Sequence, residues 1–110
     1  MNTEDQLQAD IYKWYNNNFC LKTHKPRHSI FAVPNGGLRT KREAVKLKAT
    51  GVRAGVSDLI VIQPNRVLFV ELKKTNGRQS DNQKEFENIV NNLGFEYYVV
   101  RSLEEFKSIL

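Results

Sequence analysis

The chain lacks most of what closes a small fold covalently or through a metal staple. One of its 110 residues is cysteine, Cys20, so no internal disulfide can form, which fits a reducing compartment. The two histidines, His24 and His28, have no cysteine or histidine partners at zinc spacing. Neither has a setting that suggests a Ser-His-Asp triad. No Gly-x-x-x-x-Gly-Lys loop is present, which argues against ATP use. No apolar run approaches the roughly 20 residues needed to cross a bilayer, so a membrane role is not expected. The N-terminus, Met1-Asn-Thr-Glu-Asp5, is acidic and has no apolar signal core, and a cytoplasmic location is expected. Repeats, low-complexity segments and linkers are missing too. The length points to one domain spanning 1–110.

What is present suffices for a core. Hydrophobic residues make up 40% and aromatics 10%, enough for two packed layers rather than a disordered basic arm. The net charge is +5, and the cations cluster: Lys22, Lys25 and Arg27; then Arg39, Lys41, Arg42, Lys46, Lys48 and Arg53; then Lys73, Lys74, Arg78 and Lys84. Such clusters suit a polyanionic partner, although +5 alone is equally the mark of a solubilising surface.

Ser/Thr-x-x-Glu/Gln boxes punctuate the chain at Thr3–Gln6, Thr40–Glu43, Ser80–Gln83 and Ser102–Glu105, and each opens a helix. The first carries Leu7, Ile11, Trp14 and Tyr15 on one face and should end at Asn16-Asn17-Asn18. Ser29 to Val33 reads as a strand, followed by a turn at Pro34-Asn35-Gly36-Gly37. Those glycines either approach a phosphate closely or simply permit positive φ. The second helix runs through Ala44, Val45 and Leu47 to Gly51. The third buries Phe86, Ile89, Val90 and Leu93 and stops at Gly94. Phe95 to Val100 is a strand, and Leu103, Phe106, Ile109 and Leu110 form a last short helix. The expected order is α-β-α-β-β-α-β-α, an α/β fold with a mixed sheet flanked by helices.

The most informative stretch runs from Asp58 to Lys73. Apolar, β-branched runs flank Pro64-Asn65, which reads as a hairpin turn. A symmetric turn there pairs Gln63 with Arg66, Ile62 with Val67, Ile60 with Phe69, and Asp58 with Glu71. Lys73 falls on the same face as Glu71. Both faces are apolar elsewhere, which suggests burial on both sides. Two like charges directly opposed destabilise a strand pair, and buried carboxylates must be paired, protonated or metal-bound. Either a divalent cation sits between Asp58 and Glu71, or the pair lies at a wet sheet edge with Lys73 as a counter-ion. Glu4 has a helix-dipole role and Gln83 a capping role by default, so any chemistry at either must compete with these.

Asp58 followed by Glu71-Leu-Lys73 resembles the Asp…(Asp/Glu)-x-Lys signature of the PD-(D/E)XK nuclease superfamily. More narrowly, the chain resembles the virus-type replication-repair nuclease (VRR-NUC) domain. The matching pieces arrive in order and span most of the chain: Pro34-Asn35-Gly36, Leu47-Lys-Ala-x-Gly51-Val-x-Ala-Gly55-Val-Ser-Asp58, Val70-Glu71-Leu-Lys73, and Gly77-Arg-x-Ser-x-x-Gln83-x-x-Phe86. Ser57 stands where a proline is common. The resemblance implies a restriction-endonuclease-like core and a metal-dependent endodeoxyribonuclease. Asp58, Glu71 and the main-chain carbonyl of Leu72 would hold Mg²⁺ or Mn²⁺. Lys73 would orient water or stabilise charge, and Gln83 would be an active-site glutamine. Related junction-resolving nucleases add a glutamate of the first helix, here Glu4. Asn35, Arg39, Lys41, Arg42, Arg53, Lys74 and Arg78 would contact nucleic acid. Stand-alone copies resemble phage and bacterial enzymes that act on branched DNA, which implies four-way junctions as substrate, a homodimer supplying two sites, and the host cytoplasm if phage-encoded. The alternatives are a nuclease of single-stranded, flap or nicked DNA or of RNA, and a non-catalytic nucleic-acid-binding module.

Overall fold

The computed structural model describes residues 3–34 and 40–110. Its elements follow the expected order: α1 (Thr3–Tyr15), β1 (Ser29–Ala32), α2 (Lys41–Ala49), β2 (Leu59–Gln63), β3 (Arg66–Leu72), α3 (Asp81–Asn92), β4 (Glu96–Val100) and α4 (Leu103–Ser108). The strands form one sheet in the order β1-β2-β3-β4. β1 and β3 run antiparallel to β2, whereas β4 lies parallel to β3 after the α3 crossover. The central hairpin has the expected register, with Gln63 opposite Arg66, Ile62 opposite Val67 and Ile60 opposite Phe69. Asn65 takes the positive φ, 62°, that closes the turn.

The two faces of the sheet are not equivalent. Leu59, Val61, Leu68, Val70 and Leu72 are sealed beneath Ile11 and Tyr15 of α1 and Phe106 of α4. Trp14 and Tyr15 meet Phe106 edge-on at 6.3 and 5.9 Å between ring centroids, a favourable arrangement of ring quadrupoles. Among the described residues the opposite face is covered by α3, through Phe86 against Phe69 at 5.8 Å and against Tyr97 at 6.1 Å. Ile62 on this face remains 41% exposed. Burial of the hairpin on both sides is therefore corrected: one helix cannot span four strands, and α3 sits over β3 and β4.

Details of all three longer helices add to the expected picture. α1 stops at Tyr15, where the asparagine run begins, but the chain does not leave the helical path there and makes a π-helical turn, Asn16–Cys20. Asn18 Nδ2 donates to the Trp14 carbonyl at 2.7 Å, and Phe19 packs on Tyr15 at 4.9 Å, so side-chain interactions hold the wider turn. On α3 only Val90 is fully buried; Ile89 and Leu93 reach solvent because the helix overhangs the sheet there. α2 forms with Thr40 accepting from the Glu43 N–H at 3.1 Å, but among the described residues it packs against no other helix or strand. The turn expected at Asn35–Gly37 lies outside the described residues, as do Asn35 and Arg39.

The turn end of the hairpin is closed by Arg66. Its guanidinium grips both carboxylate oxygens of Glu96, at 2.8 and 2.6 Å, and donates to the Ile109 carbonyl at 3.0 Å. The Arg66 hydrogen bonds and the Tyr98 hydroxyl hold the Glu96 carboxyl down to about 2. This clasp ties β3, β4 and the chain end following α4. Because the buried face supplies the core, Phe106→Ala should cost about 3–5 kcal/mol. Leu93→Ser, at a 69%-exposed position, should change stability by less than about 0.5 kcal/mol. Urea denaturation of both variants checks the contrast.

Candidate active site

Asp58 directly precedes β2 and Glu71 is the penultimate residue of β3. The register of Leu59 against Val70 continues by one residue to set the two acids opposite each other. Two main-chain bonds hold Asp58 in place: Val33 N donates to its carbonyl at 2.9 Å, and Leu72 N to its Oδ2 at 2.8 Å. Backbone alternation turns Glu71 onto the α3 face, beside the Phe69, Phe86 and Tyr97 rings.

Glu71 is 2% exposed. Its Oε2 accepts from Gln83 Nε2 at 3.0 Å and faces Lys73 Nζ at 3.8 Å. Its Oε1 has no hydrogen-bond partner. Burial pushes the Glu71 carboxyl up to about 9, and the neighbouring Asp58 adds to the rise through its charge and through hydrogen bonding. Lys73 opposes the shift, and the Glu4 charge adds a smaller upward push. In the ionised state, then, Glu71 presents a donor-less oxygen beside a second carboxylate. A hard cation with oxygen ligands fits that vacancy in the bonding pattern. Among the described residues no three His, Cys, Asp or Glu side chains converge on one metal position. Glu4 acts on Glu71 from a distance, through its field.

Gln83 serves two ends of one amide. Its Oε1 accepts from the Ser80 N–H at 2.8 Å, completing the capping box of α3, while Nε2 reaches Glu71. The capping and active-site readings of Gln83 are thus compatible, because they use different atoms. Lys74 and Arg78 are exposed on the loop after β3, Arg53 is exposed 3.7 Å from Glu85, and Lys41 and Arg42 are exposed on α2.

Two positioning residues escaped the sequence reading. Arg101 Nη1 donates to the carbonyls of Lys74 and Gly77, both at 2.8 Å, and so pins the loop that follows Lys73. An arginine just past a strand carries no signal of that role. Gly55 has φ +85°, and a Cβ there would lie 2.5 and 2.6 Å from the Asn82 backbone. The segment leading to Asp58 therefore rests directly on the first turn of α3, the turn that also bears Gln83. A glycine three residues before the acid hinted at this, but its contact is long-range.

Sheet topology, flanking helices and the acid pair with its lysine are those of a PD-(D/E)XK-type core. The chain belongs to the VRR-NUC domain family, whose profile matches residues 2–104. One solved structure, a "VRR_NUC domain protein", is 27% identical and superposes with a TM-score of 0.76, covering 99% of this chain and 85% of that one. A second, a "VRR_NUC domain", is 19% identical with a TM-score of 0.68, covers 99% and 95%, and shares the fold. No curated protein matches. Family membership places the chain among nucleases of the PD-(D/E)XK type, which typically use divalent metals. No helix among the described residues is long and apolar enough to cross a membrane.

The raised pKa has a consequence for stability. The folded state holds a proton on Glu71 between pH 4.5 and about 9, where the unfolded chain has lost it. Stability contributed by this group therefore falls as pH rises through that window. Glu71→Gln, which keeps the shape and removes the charge, should raise Tm at pH 8 without metal by roughly 4–8 °C for each kcal/mol relieved. The gap to the parent should close towards pH 5. Gly55→Ala should lower Tm, because a positive φ and a backbone clash are both imposed, at a cost of about 1–3 kcal/mol from the strain alone. Thermal melts from pH 5 to 9 test both.

Proposed function

We propose that residues 1–110 form a single metal-dependent endodeoxyribonuclease domain that hydrolyses phosphodiester bonds in branched DNA. One observation carries the reading: Glu71 is buried, its Oε1 is without a hydrogen-bond partner, and it stands beside Asp58. Once ionised, that oxygen has no donor, and an unmatched buried charge costs several kcal/mol, so the charged form of Glu71 calls for a cation beside it. Asp58, Glu71 and the Leu72 carbonyl would hold Mg²⁺ or Mn²⁺, with Glu4 placed to add negative potential or a further ligand. A divalent ion held there supplies positive charge against a phosphate and lowers the pKa of water it binds.

The protein's own groups then have distinct tasks. Lys73 holds an ammonium at the Glu71 carboxylate, where it can orient water or meet charge developing on the phosphorus oxygens. Gln83 fixes the Glu71 carboxylate plane from the rigid first turn of α3. Lys41, Arg42, Arg53, Lys74 and Arg78, with Asn35 and Arg39, would grip the DNA backbone, and that grip should weaken steeply with salt. A binding module without chemistry would share the cations but has no use for a buried glutamate set beside an aspartate facing a polyanion.

Symmetric cleavage of a four-way junction needs two such sites, hence a homodimer. Phe31, Ile62, Leu93 and Phe95 are exposed apolar residues available to a partner copy. A cytoplasmic setting, that of the host if the chain is phage-encoded, suits a DNA substrate.

Incubation of the protein with labelled four-way junction, flap, duplex and single strand, in Mg²⁺, Mn²⁺ or EDTA, tests the reading. Cleavage should require metal, and Asp58→Ala and Glu71→Ala should bind DNA yet lose at least about 100-fold in rate. Mg²⁺ should raise the Tm of the parent but not of Glu71→Gln. Cutting that survives EDTA, or persists in both alanine variants, would overturn it.

A further inference from the structure

The basic loop that leads into β1 takes no part in the chemistry described above. Between Asp10 and Glu43 the chain has no Asp or Glu but seven Lys or Arg. Lys22, Lys25 and Arg27 of the loop are all exposed, and none forms an ion pair among the described residues. A surface that serves solubility alone intersperses both signs, whereas a run of one sign makes a field that a polyanion feels. The loop is also held in shape. Leu21 N donates to His24 Nδ1 at 3.1 Å, and His24 N donates to the Leu21 carbonyl at 2.9 Å, which closes a turn around Lys22. His28 N donates to the Phe19 carbonyl at 2.9 Å, and His28 Nδ1 to the Pro26 carbonyl at 3.0 Å. The His28 ring packs on Phe19 at 5.1 Å and on Tyr15 at 6.1 Å, so this end of the loop is fastened to the core. Both histidines thus fix the backbone that carries the three cations. Its ordering is complete before any partner arrives, which lowers the entropic cost of binding.

We propose that this loop, Lys22 to Arg27, is a second contact for the DNA backbone, gripping phosphates of a duplex arm at a distance from the acid pair. The placement follows from β1. The loop enters that strand at Ser29, opposite Ile62 and close to the hairpin turn. Past the strand's other end, Val33 N donates to the Asp58 carbonyl. Ser29 and Val33 are four residues apart, about 13 Å along an extended chain, so the loop and the acids stand at opposite ends of the sheet. β1 is an edge strand without a charged residue, so a phosphate chain running along it meets no repulsion from the strand itself. The contact rests on the hydrolytic reading above and narrows its substrate to DNA with a duplex arm beside the scissile bond. The protein is 44 Å in its longest dimension, and phosphates of one strand repeat about every 3.4 Å, so the contact falls roughly four to 13 base pairs from the branch. Ammonium and guanidinium groups on phosphates read charge, not sequence, so the grip is independent of base identity.

The test titrates a labelled four-way junction with the full chain in EDTA, at salt concentrations from about 50 to 200 mM. The triple variant Lys22→Gln, Lys25→Gln, Arg27→Gln should flatten the dependence of log affinity on log salt by about one for each cation removed, about two to three in all. The charge-keeping triple variant Lys22→Arg, Lys25→Arg, Arg27→Lys should restore the slope. The three positions are exposed, so Tm should match the parent in both variants. Neutral methylphosphonates are then scanned along each arm, from roughly four to 13 base pairs out. They should weaken binding by the parent at one or more positions and leave the glutamine variant unaffected there. An unchanged salt slope in the glutamine variant, or equal losses for parent and variant across the scan, overturns the contact and leaves the loop a solubilising surface. The readout is binding without metal. Failure of every metal to support cleavage would therefore sink the hydrolytic reading and leave a positive result at the loop standing.

Discussion

Asp58 and Glu71 face each other across the open end of an apolar hairpin, and Glu71 is almost sealed from solvent. Burial and a like charge act in the same direction, and together they hold its carboxyl near 9. Only Lys73 and Gln83 lean the other way, and both act on a single oxygen, Oε2. The second oxygen is left without a donor. Sequence placed these acids in register; packing of the Phe69, Phe86 and Tyr97 rings removed the water that would otherwise have screened them. The rest of the fold can be understood as what keeps so unfavourable an arrangement from relaxing.

Three long-range contacts resist that relaxation. Gly55 lets the strand carrying Asp58 lie against the backbone of Asn82, which fixes the acid relative to α3. The capping box of α3 locks the Gln83 amide at its oxygen, leaving its nitrogen pointed at Glu71. Arg101 pins the loop following Lys73 from the far side of β4. The contrast with the other end of the same hairpin is informative. There Arg66 meets both oxygens of Glu96, which is held near 2. One glutamate is fully matched and the other deliberately under-matched, on adjacent parallel strands. A satisfied pair binds the fold together, whereas an unsatisfied one is available for a ligand.

Much of this was legible in the residues. Period-two alternation and the Pro64-Asn65 turn carried the hairpin register, and register alone opposed Asp58 to Glu71. Capping boxes located the helices because the cap is a local, four-residue interaction. What was not legible was non-local. The number of strands α3 covers depends on sheet width and helix placement, so Ile62, Ile89 and Leu93 were expected inside and lie at the surface. The asparagine run after α1 has poor helix propensity, yet ring packing of Phe19 on Tyr15 and His28 sustains a π turn through it. Gly55 and Arg101 act on groups 24 to 27 residues away, and no window along the chain contains both partners.

Charge around the site follows from the same geometry. Acids occupy its centre, with Glu4 adding to the field at Glu71, while the cations stand further out. On α2 the helical wheel puts Lys41, Arg42, Lys46 and Lys48 on one broad face, and Glu43 and Leu47 on the other. That helix packs against no other element among the described residues, so its cations are not consumed by internal ion pairs with the core. A polyanion is thus drawn to the periphery by long-range attraction and repelled at the centre by Asp58 and, where it is ionised, Glu71. Positive charge bound between Asp58 and Glu71, as proposed above, would remove that repulsion. On the reading proposed above, electrostatics alone would make close approach of a phosphate to Lys73 easier with a cation bound, before any question of bond breaking arises.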